Sequence, residues 1–158
     1  MRFATDATLG KLGRHLRTAG FDTICRHENR NSDFFKALEP DRIILTRTAK
    51  LQARYKRRPL LFIRENDPHD QMAQIFRELE IGPDDLRPFS RCTICNLAIR
   101  PVDRQTVRGK VPAYIWQHHR HFRICPGCRR IYWSGSHHQR LTRQLEQLFN
   151  HKESRIHE

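Results

Sequence analysis

Two Cys-x-x-Cys pairs constrain the fold of this chain more than any other feature. Cys92 and Cys95 form the first pair, and Cys125 and Cys128 form the second after an interval of 29 residues. Each pair makes a tight turn that directs two thiolates at one point, and two such turns complete the tetrahedral four-sulfur site of structural Zn²⁺. A redox pair is the alternative for either motif alone, but two pairs at this spacing favour structural zinc without a catalytic role.

The cysteine count also bears on the compartment. Five cysteines in 158 residues are too few for a disulfide framework, and the number is odd. We expect the fifth, Cys25, to be a buried, inert thiol. No apolar run approaches the roughly 20 residues that cross a membrane, and the N-terminus lacks the apolar stretch of a signal peptide. We therefore expect a cytoplasmic protein with no membrane-spanning segment.

The first ninety residues alternate short apolar runs with helical patterns. The apolar runs predict four strands, which begin at Arg2, Phe21, Ile43 and Leu60. Helical spacing predicts a helix after each strand: over 9–19, over a short stretch opened by Asn31, Ser32 and Asp33, over 49–55, and from Asp70 to Leu79. This alternation is typical of a parallel sheet covered by helices, so the predicted fold class is α/β.

The pattern changes after Pro88 and Phe89. The segment that carries both cysteine pairs shows little helical periodicity, and Ser136 opens a last helical pattern. We expect the leucines of that pattern to pack on the body of the protein rather than on a partner. The predicted organisation is an α/β domain over 1–88, a zinc ribbon over 89–138, and a C-terminal helix with a frayed tail over 139–158.

The charge distribution indicates a polyanionic partner. The chain has a formal net charge of +13, of which +9 falls in residues 91–158 together with seven of the ten histidines. Such a field favours nucleic acid, because phosphate contacts release condensed counterions. A solvated basic surface without a nucleic-acid partner is the alternative.

Acidic residues follow the predicted strands at the edge where ligands bind in parallel sheets. Asp6 follows the first strand, Glu65 and Asp67 follow the fourth, and Asp33 opens the second helix. Converging carboxylates are costly unless a cation binds them, and oxygen ligands select Mg²⁺ or Mn²⁺. In a basic protein this indicates metal-assisted phosphodiester hydrolysis. Helix capping is the alternative role for Asp33 and Asp67.

The motifs together resemble the Mut-seven C-terminal ribonuclease domain family, a PIN-like nuclease fold with an appended zinc ribbon. The resemblance covers about residues 1–138. It is carried by the segments 1–6, 9–17, 20–22, 45–47, 88–92, 95–96, 111–112, 125–128, 132–133 and 135–137.

The resemblance implies a ribonuclease with a divalent metal held by acidic residues. Asp6, Asp33 and Asp67 match the family's acidic positions. The family commonly has Leu-Thr-Arg-Asp after the third strand, whereas Thr48 stands here at the Asp position. A threonine hydroxyl is a neutral, weaker ligand. We therefore predict a Mg²⁺- or Mn²⁺-dependent ribonuclease in which Thr48 positions water or metal, and the alternative is a weakened or inactive RNA-binding protein.

RNA is the predicted partner, and no membrane is expected. A protein or ribosome partner is a further possibility, and the chain is expected to be a monomer. The predicted RNA-binding side chains are the basic ones near the resemblance motifs: Lys11, Arg14, Arg17, Arg47, Arg91, Arg129, Arg130 and His137. Bases could stack on Tyr114, Trp116, Tyr132 or Trp133, although both tryptophans could equally form the ribbon core.

Overall fold

A computed structural model describes residues 1–28 and 32–153. Its first half is a four-stranded parallel sheet, as predicted. The strands are β1 (Arg2–Thr5), β2 (Asp22–Cys25), β3 (Ile43–Thr46) and β4 (Leu60–Phe62). Their order in the sheet is β2-β1-β3-β4. Phe3 lies opposite Thr23 in β2 and Ile43 in β3, which sets the register of the two central pairings.

Three helices pack against this sheet: α1 (Gly10–Thr18), α2 (Ala49–Arg54) and α3 (Pro68–Glu78). The main core lies between the sheet, α1 and α3, and it includes Phe3, Leu12, Leu16, Ile75 and Phe76. α3 begins two residues before the predicted start because Pro68 occupies its first turn and the Asp67 side chain caps it.

The predicted helix after Asn31, Ser32 and Asp33 is wrong within the described residues. Residues 32–37 form turns, and Ala37 N donates to Asp33 O at 2.9 Å. The two phenylalanines of this segment pack under the other face of the sheet. Tertiary burial of these rings determines the conformation, and Asn31 lies outside the described residues.

The second half is a small antiparallel sheet. It consists of β5 (Arg100–Val102), β6 (Phe122–Ile124) and β7 (Ile131–Trp133), in the order β5-β6-β7. A short helix that the sequence did not predict, α4 (Ala113–His118), crosses between β5 and β6. Trp116 and Trp133 pack against the apolar cluster of this sheet. The tryptophans therefore contribute to the ribbon core.

The last helix, α5 (Ser136–Glu153), returns to the first half of the chain. Leu145 and Leu148 are buried in the main core, and the Phe149 ring stacks on Phe76 with centroids 5.5 Å apart. The expectation that this apolar stripe packs on the body of the protein is therefore met. The tail beyond residue 153 lies outside the described residues.

Candidate functional site

The loops at the carboxyl ends of β1, β3 and β4 meet at one edge of the parallel sheet. Asp6 follows β1, Thr46, Arg47 and Thr48 end β3 and begin α2, and Glu65 to Asp67 connect β4 to α3. Asp6 N donates to Leu45 O at 3.1 Å, so the first loop is held directly against β3. This edge is the one at which parallel sheets bind ligands.

Asp6 is the central side chain of this edge, and it is only 3% exposed. Its Oδ1 accepts hydrogen bonds from the backbone N and the hydroxyl of Thr8, at 2.8 and 2.6 Å. Its Oδ2 accepts from the Thr46 hydroxyl at 2.7 Å, from Arg47 N at 2.9 Å and from the Thr48 hydroxyl at 3.5 Å. Burial raises the pKa of Asp6, but these donors outweigh burial and hold the pKa below its usual value. Asp6 is therefore ionised.

Arg47 connects two of the loops at the edge. Its guanidinium donates to Glu65 O at 2.7 Å and to the Asn66 side-chain oxygen at 2.6 Å. Gln71 Nε2 donates to the same Glu65 carbonyl at 3.0 Å. Arg47 is half-buried, so part of its charge is used to hold the β4–α3 loop.

The predicted acidic residues do not come together. Asp33 is exposed and lies 3.7 Å from the Lys36 ammonium. Asp67 is exposed, and its Oδ1 accepts a hydrogen bond from His69 N at 2.8 Å, as the first-turn cap of α3. The capping role that the sequence offered as the alternative for Asp67 is thus present. Thr48 precedes α2 and is exposed.

This arrangement does not fit a Mg²⁺ or Mn²⁺ ion held jointly by the predicted ligands. Across residues 1–28 and 32–153, no three Asp, Glu or His side chains have ligand atoms within 4.8 Å of one another. The lone pairs of both Asp6 oxygens already meet hydrogen-bond donors. We therefore derive no catalytic step through such an ion.

A cavity of about 350 Å³ lies between α1, the first half of α3 and the middle of α5. Lys11, His15, Asp67 and His69 line it, together with leucines of α5. Burial lowers the pKa of His15, and the charges of His69 and Lys11 add to this effect, while Asp67 opposes it. His15 is thus a neutral imidazole at pH 7. Sequence reasoning missed His15 and His69, because only the packing of α1 beside α3 brings them to one cavity.

The four paired cysteines form one cluster. Their Sγ atoms all lie within 4.8 Å of one another, and Cys92 and Cys128 Sγ are 3.7 Å apart. The first pair lies in the turn before β5, and the second lies in the turn between β6 and β7. None of the four is in a disulfide. The donor set and its compactness fit a metal such as zinc in a site with no open position.

The two cysteine turns share two features, a backbone N–H that points at the first sulfur and a left-handed residue after the second cysteine. Cys95 N points at Cys92 Sγ (3.3 Å), and Gly127 N points at Cys125 Sγ (3.4 Å). The residue after each pair, Asn96 or Arg129, has a positive φ of 63° or 64°, and its N–H bonds back to the carbonyl of the first cysteine. These donors stabilise thiolate sulfur at the centre of the cluster.

Tyr132 adds a side-chain donor to this site. Its hydroxyl donates to Cys92 Sγ at 3.1 Å. Burial raises the pKa of the Cys92 thiol, but the Tyr132 hydroxyl and the N–H groups of Cys95 and Ile94 lower it to about 7. Sequence reasoning identified the four ligands but not this partner, because Tyr132 is 40 residues from Cys92.

Two of the predicted RNA-binding arginines instead join the two halves of the chain. Arg17 is 2% exposed, and its guanidinium donates to Thr23 O, Thr93 O and Ile94 O. Its prediction as an RNA contact is therefore wrong, since burial keeps it from any ligand. Arg91 is half-buried and donates to Gly20 O and Asn96 O.

The other predicted RNA contacts lie on two separate surfaces. Lys11 and Arg14 are exposed on α1, beside the cavity of His15. Arg129, Arg130 and His137 are exposed on the ribbon and at the start of α5. Among the described residues, no helix is both long enough and apolar enough to cross a bilayer.

Comparison with known proteins gives one result. A family model described as "Mut7-C RNAse domain" matches residues 1–145. No significant match was found among curated proteins or among solved structures. The match covers the parallel sheet, the cysteine cluster and α5 as far as Leu145.

Proposed function

The chain belongs to the Mut7-C RNAse domain family, and from this membership we propose that it is a ribonuclease that hydrolyses phosphodiester bonds in RNA. The family supports a ribonuclease-type function and an RNA substrate. The observation that carries the proposal is Asp6, a buried carboxylate kept ionised at the carboxyl edge of the sheet by donors from three loop positions.

We assign RNA cleavage to this edge. Its loops are fixed by Asp6 and Arg47. Of the predicted catalytic residues, Asp6, Asp67 and Thr48 belong to these loops, whereas Asp33 pairs with Lys36 elsewhere. Lys11 lines the adjoining cavity together with Asp67 and supplies a cation for the RNA phosphate. His15, neutral at pH 7, is a group of the right protonation state to accept a proton from an attacking hydroxyl or water.

Whether cleavage needs Mg²⁺ or Mn²⁺ is a separate question from the ribonuclease activity itself. The resemblance predicts Mg²⁺ or Mn²⁺, whereas the described carboxylates do not gather around one ion. We assign Zn²⁺ to the four cysteines as a structural ion. A four-thiolate site favours a reducing compartment, which supports a cytoplasmic location. A monomeric state and the possible protein or ribosome partner remain predictions, which light scattering and co-purification would test.

The test is a cleavage assay on end-labelled structured and single-stranded RNAs in Mn²⁺, Mg²⁺ or EDTA. We expect the wild-type protein to cleave RNA and Asp6→Asn to lose cleavage. Because EDTA also competes for the cysteine-bound ion, the EDTA samples are checked for retained zinc. Cleavage in EDTA with zinc retained would show that no added divalent ion is needed.

Asp22→Asn is the matched control for Asp6→Asn. Asp22 is also a hydrogen-bonded carboxylate with a lowered pKa, but it begins β2 at the opposite edge of the sheet, where it pairs with Arg42 at 2.8 Å. We therefore expect the Asp22→Asn protein to lose about as much stability as the Asp6→Asn protein but to cleave RNA like wild type. Equal cleavage by wild type and Asp6→Asn contradicts the assignment. Binding without cleavage under every condition contradicts ribonuclease activity and leaves the RNA-binding alternative.

A further inference from the structure

A second cleft, larger than the cavity of His15, lies between the ribbon and the start of α5. Its volume is about 690 Å³, well within the range of small-ligand sites. We define the ribbon cleft by Tyr114, His119, Arg130, Tyr132, Trp133 and His137. We propose that the ribbon cleft binds single-stranded RNA, an inference that rests on the proposed ribonuclease function. An unstacked base would lie on Tyr114 and Trp133, and phosphates would contact Arg130 and the histidines.

The aromatic groups of the ribbon cleft favour a base as the ligand. Tyr114 is 64% exposed, and it is one of only four large hydrophobic side chains in the described part of the chain that are exposed. Trp133 is half-buried and borders the same space. An aromatic ring at the mouth of a cleft provides a stacking surface for an unpaired base.

Trp116, by contrast, is already covered on its ring. The Arg104 guanidinium lies 3.6 Å from its centroid, and the indole N–H donates to Arg104 O at 3.0 Å. The Phe89 and His138 rings stack on each other at 3.6 Å and form another part of the cleft wall. Tyr114 also has a ring neighbour, His118 at 4.3 Å, but it stays 64% exposed. Trp133 packs on the ribbon core edge-on to Phe122 and borders the cleft with its half-buried ring. Tyr114 is therefore the main stacking surface, Trp133 adds to it, and Trp116 does not.

The charge of the ribbon cleft favours phosphate. Its wall contains the cations Arg91 and Arg130 and three histidines whose rings can donate hydrogen bonds, and no described Asp or Glu lines it. The first turn of α5, from Ser136 to Gln139, forms one side. The N-terminal end of this 18-residue helix adds positive potential on the same side. Aromatic rings next to cations, without acidic residues, match the alternation of base and phosphate in a nucleic-acid strand.

The shape of the site favours a single strand over a duplex. Bases in a duplex are stacked on each other and cannot lie flat against rings inside a cleft, whereas the bases of a single strand can turn outward. The cysteine cluster holds this geometry, because Tyr132 lines the cleft and also bonds to Cys92. A metal held by Cys92, Cys95, Cys125 and Cys128 would fix the sulfur to which Tyr132 bonds, and so one wall of the site.

The test measures RNA affinity by fluorescence anisotropy on the full chain with its zinc. The probe is a fluorescein-labelled oligouridylate of about 12 nucleotides with 2′-O-methyl riboses, and a gel confirms that it stays intact. We expect Tyr114→Ala to weaken binding by about 5- to 100-fold, the range for loss of one base–ring stack. Tyr114→Phe keeps the ring and binds within about twofold of wild type. Since Tyr114 is exposed, neither change disturbs the fold.

Salt dependence tests the phosphate contact. Arg130→Gln lowers the slope of log affinity against log salt by about 0.7, the value for one phosphate contact on a single strand. Arg57→Gln is the matched control, because Arg57 is an exposed arginine after α2 and does not line the cleft. If Arg130→Gln and Arg57→Gln lower the salt slope equally, RNA is attracted by the overall positive charge and not by a specific site, which would overturn the proposal.

The remaining outcomes separate this inference from the ribonuclease assignment. If wild type cleaves RNA but Tyr114→Ala binds as well as wild type, the ribbon cleft is not the RNA site and the ribonuclease function stands. If the Tyr114 and Arg130 variants bind the oligonucleotide more weakly but wild type cleaves no RNA, the ribbon cleft is confirmed as an RNA site and the ribonuclease function is contradicted. Equal affinity for duplex RNA, or binding only to a protein partner, overturns the single-strand proposal.

Discussion

Replacement of Arg17 by methionine tests whether the hydrogen bonds of this side chain hold the two halves of the chain together. The guanidinium donates from Nε to Thr23 O at 2.8 Å, and from Nη1 to Thr93 O at 3.0 Å and Ile94 O at 3.1 Å. One buried side chain thus joins α1, β2 and the first cysteine turn. Methionine keeps most of the aliphatic length and removes every donor.

The expected loss of unfolding free energy is about 3 kcal/mol. Each of the three carbonyls left without its donor costs at least about 1 kcal/mol. Hydrogen bonds from a charged donor contribute about 1.5 to 3 kcal/mol each, but relief from burying the guanidinium charge offsets part of that loss. A loss of this size is a large share of the roughly 5 to 15 kcal/mol that stabilises a domain.

Urea unfolding followed by circular dichroism measures this loss. With a slope near 2 kcal/mol per molar urea, the midpoint of Arg17→Met falls by about 1.5 M. The Arg17 contacts also hold the first cysteine turn, so a competing chelator removes zinc faster from the variant than from wild type.

Arg14→Met is the matched control on the same helix. Arg14 is exposed, so its replacement changes the unfolding free energy by less than about 0.5 kcal/mol. A loss below about 1 kcal/mol for Arg17→Met, or an equal loss for Arg14→Met, refutes the reasoning. Either result would mean that these hydrogen bonds do not hold the two halves together.

Three further predictions concern the metal, the acidic groups and a turn. Zinc analysis should find about one ion per chain in wild type and in Cys25→Ser, and none in Cys92→Ser; loss of zinc from Cys25→Ser would contradict the four-cysteine site. Hydrogen bonds from Arg42 lower the pKa of Glu39 to about 2, so its stabilising effect is complete above about pH 4.5 and is lost as the pH falls toward 2. Acid titration of Glu39→Gln should therefore show a shallower loss of stability in that window, and an unchanged titration curve would refute the pairing. Gly20 has φ of +101°, and a Cβ there would collide with the Arg87 backbone, so thermal unfolding of Gly20→Ala should show a loss of at least about 2 kcal/mol; an unchanged melting temperature would contradict the close approach.

Local sequence patterns were sufficient for most of the elements. Apolar runs such as Ile43 to Leu45 and the helical spacing of Leu9, Leu12 and Leu16 record burial directly, because alternating strands and helices must each bury one face. The cysteine ligands were also predictable, since a Cys-x-x-Cys turn brings two sulfurs together within four residues. The turns at 32–37 were not, because their rings are buried by contacts with distant parts of the sheet.

The signal for Arg17 was present but ambiguous. Leu9, Gly13, Leu16 and Arg17 follow the i, i+4, i+7, i+8 spacing of one helix face, so the position faces inward. The positive charge of Arg17, however, suggested that it contacts RNA at the surface. Three carbonyls from β2 and the cysteine turn satisfy the guanidinium, and no local pattern reveals acceptors that lie 76 and 77 residues away.

The sequence by itself determined the order of the four parallel strands and most of the helices, the metal ligands and the ionisable groups available at the sheet edge. Only the tertiary structure decided which of those groups meet. It surrounded Asp6 with neutral donors, paired Asp33 with Lys36, made Asp67 the cap of α3, and brought His15 and His69 to one cavity. The physical reason is that spacing along the chain determines local conformation, whereas the distance between two side chains depends on how separate elements pack.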